Sequence, residues 1–236
     1  LGSSTSDLTV KNAITIDAST EGISTGGADL ILLSALTMSD GKLESTGGSW
    51  ILSGDFEKSS GTLTISQTNL VLKGSIKLTS DQALSFVNLN LNNFTLTLGS
   101  STSDLTVINA ITIDASTEGI STGGADLSLL AFLKISDGGV TSTGGAISLL
   151  GGGQLSGTGK LDVSGSTWEL GGDFEKSSGT LTISQTNLAL AGSIKLTSDQ
   201  ALSFVTLNLN NYILTLGSST SDLTVANAVT IDASTE

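Results

Sequence analysis

Apolar residues recur along this chain in pairs, every six to nine positions: Leu8, Ile14, Ile23, Leu30, Leu36, Leu43, Trp50, Phe56, Leu63, Leu70, Ile76 and Leu84. Within each step the pattern alternates, as in Leu63-Thr64-Ile65 and Leu89-Asn90-Leu91. Alternation is the strand period, one side chain in and the next out. Between the steps stand Gly, Asp, Asn and Ser, the residues that turn a chain. Three steps make about 20 residues. One module is therefore three short strands joined by three tight corners.

This pattern predicts an all-β fold, a three-sided parallel β-helix (β-solenoid) with about 20 residues per coil. The hand is expected to be right, because parallel crossovers strongly favour it. Coil starts fall near Leu8, Leu30, Trp50, Leu70, Leu89, Leu105, Leu127, Ile147, Trp168, Leu188, Leu207 and Leu223. Equivalent residues should stack, Leu8 near Leu30 and Trp50, and Leu63 near Leu84. Twelve coils at about 4.8 Å per rung would make a rod of roughly 55 Å. No segment sustains helical spacing, and Gly and β-branched residues are too dense for helix interiors.

The chain also repeats itself on a longer scale, as solenoids do. Leu1 to Leu30 returns as Leu98 to Leu127 with one change, Lys11 to Ile108, and residues 216–236 restart the same string. Asp55 to Thr106 returns as Asp173 to Thr224 with five changes: Val71/Ala189, Lys73/Ala191, Asn88/Thr206, Phe94/Tyr212 and Thr95/Ile213. The chain divides into copy 1 (residues 1–97), copy 2 (98–215) and the start of copy 3 (216–236), all within one continuous solenoid. The two copies differ in length by 21 residues, assigned to one extra coil at 138–158. Copy 1 should hold about five coils and copy 2 about six. The fifth coil of each copy is short, with two clear strands.

Composition narrows the function. There is no Pro, as expected where nearly every backbone N–H feeds a ladder. Net charge is −13 and the basic residues are all Lys, which disfavours nucleic acid and anionic lipid surfaces. No run approaches the roughly 18 apolar residues of a membrane helix, and a membrane barrel would want longer strands and aromatic girdles. The opening LGSSTSDLTV has no apolar targeting region, so any such segment is expected outside this sequence.

Chemistry is sparse. There is no His, Cys or Arg, which removes the commonest base, nucleophile and anion clamp. Carboxylate pairs remain. The clearest is Asp17 with Glu21 in D-A-S-T-E, repeated at Asp114/Glu118 and Asp232/Glu236. It could be a glycosidase-like pair or a Ca²⁺ corner, so Asp17, Glu21, Asp114 and Glu118 are the metal candidates; the plainer reading is a solvated turn, repeated because the coil repeats. Gly151-Gly152-Gly153-Gln154 lacks the Asp of calcium-binding glycine repeats. Asp55-Phe56-Glu57-Lys58 and Asp173-Phe174-Glu175-Lys176 read as corners with one inward Phe and a local ion pair. Trp50 and Trp168 take strand positions equivalent to Leu and are expected in the core. Asn93-Phe94-Thr95 is a glycosylation sequon whose counterpart, Asn211-Tyr212-Ile213, has lost its Thr. No catalytic residue, cofactor or firm metal site is expected.

Strand-and-glycine coils such as S-G-T-L-T-I-S at Ser60 to Ser66, in long near-identical tandem copies, resemble the β-solenoid stalks of large bacterial surface adhesins of the filamentous-haemagglutinin and autotransporter kind. The resemblance implies an extracellular or cell-surface fibre. The expected function is a structural fibre or adhesin stalk, not an enzyme. Its expected partners are more of the same solenoid, by covalent continuation or end-to-end association, and cell-surface glycans. The alternative is a carbohydrate-active or carbohydrate-binding β-helix; an S-layer component and an ice-binding solenoid are further options. Ice binding would need T-x-T on every coil, and Ile213-Leu214-Thr215 breaks the match made by Thr95-Leu96-Thr97.

Overall fold

The computed structural model describes residues 6–18, 22–80, 82–99, 104–114, 119–165, 167–198 and 200–231. It is all-β with parallel sheets: a β-solenoid of about ten turns with roughly 20 residues per turn. Among the described residues the strands form sheets of twelve, nine, six and three members. In most turns three of these make the three sides.

The three-residue strand is the unit because one alternation is enough to seat two side chains. In Leu36–Met38 and Ile76–Leu78 the outer residues are buried and the middle one exposed. Every buried residue then rests on its equivalent one turn away. Leu8, Leu30, Trp50, Leu70 and Leu89 form one such column. Leu84, Leu105, Leu127, Ile147, Trp168, Leu188 and Leu207 form the next. Four ladder steps make the first column and six the second, which accounts for ten turns where twelve were expected. All twelve expected coil starts lie in the twelve-stranded sheet, one per strand. Both tryptophans are fully buried, and one hydrophobic cluster runs from Ile16 to Leu207.

Corners are tied by side chains that reach one turn along the stack. Asp29 Oδ1 accepts from the Ser49 amide at 2.7 Å, Asp55 Oδ1 from Ser75 at 2.8 Å, and Asp126 Oδ1 from Ala146 at 2.6 Å. Each carboxylate satisfies an N–H that no strand partner reaches, which explains the Asp before so many strands. Inside another corner, hydroxyls do this work. Ser45 Oγ lies 3.2 Å from Thr68 Oγ1 and donates to the Gly47 carbonyl at 2.7 Å.

Two expectations need correction. Leu63 and Leu84 are not ladder partners: Thr62–Ile65 ends the three-stranded sheet, and Leu84 joins the long sheet, where it pairs with Leu105 above. The reason is the seven-residue strand Leu84–Asn90, which runs straight through a corner that lower turns make. Its second half pairs with Thr68–Leu72 below, with a register shift between Thr68 and Asn69. Its first half carries Leu105–Val107 above. The second correction concerns Phe-Glu-Lys. Both Phe56 and Lys58 point inward, and Lys58 is fully buried, as Lys176 nearly is. The ion pair is not local either: Glu57 meets Lys77 of the next turn at 3.5 Å.

The long strand has a topological effect. It merges two sides of the triangle, so copy 1 winds four turns and two thirds. Copy 2 therefore begins one face out of step. Ile120–Gly123, a third-side strand in its own coil, stacks on Leu96–Leu98, a second-side strand of copy 1. Its copy-1 equivalent, Gly22–Ser24, belongs to the three-stranded sheet instead. The second long strand, Leu202–Asn208, repeats the manoeuvre by pairing Leu202 with Leu223.

Candidate functional site

The carboxylate candidates come first. Asp17 follows the strand Ile14–Ile16 and is exposed; Asp114 closes the strand Ile111–Asp114 and is exposed as well. Glu21 and Glu118, their proposed partners, lie outside the described residues, as do Asp232 and Glu236. Among the described residues no group of three or more His, Cys, Asp or Glu side chains could hold a metal ion.

Asp114 lies at the junction where copy 2 starts. Ile111–Asp114 heads the six-stranded sheet and pairs with Leu133–Asp137 above it. Below it runs the Asn-rich end of copy 1, which turns through Asn92 and Asn93 in the left-handed region (φ 44° and 72°). Asn tolerates that conformation better than other side-chain-bearing residues. A cleft of about 490 Å³ opens between the two levels, with Leu89, Leu91 and Ile113 beneath Asn90, Asn93, Thr112 and Asp114.

Several of these amides are already committed to the fold. Asn109 Nδ2 donates to Asn88 Oδ1 at 2.8 Å, and Asn88 in turn donates to Asn69, so an amide ladder crosses the junction. Asn92 Nδ2 donates to the Leu72 carbonyl at 2.9 Å, one turn down. In copy 2 the ladder is kept with different chemistry, Thr206 Oγ1 donating to Asn187 Oδ1 at 2.8 Å. The sequon residue Asn93 is exposed on the cleft rim. The cleft offers hydrogen bonds and a carboxylate to a polar ligand, and holds no nucleophile–base pair.

The buried lysines escaped the sequence reading. Lys58 Nζ donates to Ser80 Oγ and Lys176 Nζ to Ser198 Oγ, each at 2.5 Å and each across one turn. Met38 and Leu78 lie on either side of Lys58 in its column. The signal was present: in a three-residue strand whose first residue faces inward, the third must face inward too. A lysine stem packs like an aliphatic chain when its amine reaches a partner.

A scan of protein-family models, a search of curated proteins and a search of solved structures each found no match to this chain. Among the described residues, no helix is long and apolar enough to cross a membrane.

Proposed function

We propose that this chain is a load-bearing stalk segment, a spacer of the kind used by extracellular adhesins, with no catalytic role. The observation that carries the reading is the twelve-stranded parallel ladder, which passes from copy to copy without a break. Each turn buries its aliphatic column only against the turns beside it, so the unit gains its stability by repetition. Near-identical copies joined by the same long strand extend such an object without new design. The lack of His, Cys and Arg supports a mechanical over a chemical role. The acidic net charge suits a rod that stays dispersed outside the cell.

On this reading the natural partner of the solenoid is more solenoid, by covalent continuation or end-to-end stacking. Mass measurement on denatured native material separates the two, and protease shaving of intact source cells tests surface exposure. The role itself is tested by inserting one more 97-residue copy. Four and two-thirds turns should lengthen the rod by about 22 Å at a rung of about 4.8 Å. Electron microscopy or solution scattering showing growth in girth rather than length would sink the stalk reading.

A further inference from the structure

The two copies are nearly the same sequence, so their differences are informative. On the second side of copy 2, Leu133, Gly153, Phe174, Ile194 and Leu214 stack inward in register. The residues just before them form an outward corner row: Phe132, Gly152, Asp173, Ser193 and Ile213. The corresponding row of copy 1, set by Leu36, Phe56, Ile76 and Leu96, is Ala35, Asp55, Ser75 and Thr95. The centre of the row is unchanged. Both ends have become large and apolar, and the inserted coil has added a glycine between them.

The row borders a groove of about 440 Å³. Phe132 and Ile213 stand at its two ends, 43% and 65% exposed. They are four rungs apart, about 19 Å along the axis. Between them the small residues Gly152 and Ser193 leave the corner row low. Two residues further along each strand, Gln154, Glu175 and Lys195 form the opposite wall, in ladder register with one another.

We infer that this groove binds a neutral oligosaccharide chain lying along the solenoid axis. Sugar rings carry apolar faces and edge hydroxyls, and the groove offers matching chemistry: apolar bookends with an amide, hydroxyl and ionic wall between them. Each charged group in the groove already has a partner, and only one net negative charge is left, on Asp173. Asp173 Oδ1 accepts from the Ser193 amide at 2.8 Å, and Glu175 lies 3.6 Å from Lys195. A polycationic ligand would find a single carboxylate without a counter-charge, and an anionic one would be repelled by it and by the net charge of −13. An amphipathic helix needs a continuous apolar stripe, which the polar centre interrupts, and an added strand needs a free edge. The middle strands here are paired on both sides.

The test uses the full chain on a printed array carrying cellohexaose, maltohexaose and chitohexaose, with polygalacturonate and decalysine as charged probes. The double variant Phe132→Ala/Ile213→Thr restores the residues that copy 1 carries at the same corners, so the fold accepts them. Expected is binding to at least one neutral hexasaccharide, stronger than to its disaccharide, and at least tenfold weaker in the double variant. No neutral binding, equal binding by the variant, or preference for polygalacturonate or decalysine overturns the inference. The rod-lengthening experiment does not depend on this groove, so the two proposals fail separately.

Discussion

Removing residues 138–158 is the sharpest test of how the solenoid is built. The segment contributes one strand to each side: Gly139–Ser142, Ile147–Leu149 and Gly153–Leu155. Deletion joins Asp137 to Gly159 and leaves Ser136-Asp137-Gly159-Lys160-Leu161. Copy 1 has the same string at Ser39-Asp40-Gly41-Lys42-Leu43. The three contacts that must form also have precedents there. Leu127 would rest on Trp168 as Leu30 does on Trp50; Leu133 on Phe174 as Leu36 does on Phe56; Ile120 on Leu161 as Ile23 does on Leu43. The loss includes Val140, Ile147, Leu149 and Leu155, all fully buried. At roughly 1.5–3 kcal/mol each, that is about 6–12 kcal/mol of gross burial. It is offset by the 21 residues that no longer need ordering. The rod should shorten by one rung, about 4.8 Å, in solution scattering. Urea unfolding should stay cooperative with an m-value lower by about a tenth, in proportion to the surface removed. An unfolded or aggregated deletion protein, or one of unchanged length, would refute the modular account.

Two further predictions concern single residues. Lys58→Ala should cost about 3 kcal/mol in a urea melt, because a fully buried stem leaves a cavity. Lys77→Ala, whose pair with Glu57 is more than half exposed on both sides, should cost less than about 1 kcal/mol; equal costs would show that Lys58 is not in the core. Gly48 and Gly165 both have positive φ, 74° and 70°. A Cβ at Gly48 would stand 2.6 Å from the Ala28 carbonyl oxygen, while one at Gly165 meets nothing within 4 Å. Gly165→Ala should therefore lose only the left-handed penalty of about 1–2 kcal/mol. Gly48→Ala should lose a further ~1–3 kcal/mol from the clash, and thermal melts that rank them in the other order would overturn the stacking geometry at that corner.

Much of this fold was legible because the alternation is so local. Three-residue strands leave little freedom: once Leu36 faces inward, Met38 must as well, and the next coil repeats the choice. The column from Leu8 to Leu89 follows from spacing alone. Lys58 was misjudged because charge was weighed above period, although a lysine stem fills a core position once its amine finds a hydroxyl. Leu84 was misjudged because its strand omits a corner, and a missing turn leaves no residue to mark it. The groove was invisible for a different reason. Phe132, Gly152 and Ile213 are far apart in sequence, and only the stacking register brings them into one row.

The straight passage of Leu84–Asn90 through a corner bears on the mechanics of a long rod. A prism whose three sides differ in width and composition has one preferred direction of bending, and an array of identically oriented copies would accumulate that preference into a coil or an arc. Here each copy is turned by a third of a revolution relative to the one before. Any curvature written into one copy points elsewhere in the next, and three copies of equal length would cancel it. In a long array of such copies a thermal or applied load would meet the same stiffness from every side, and the rod would keep its reach instead of curling toward its softest face.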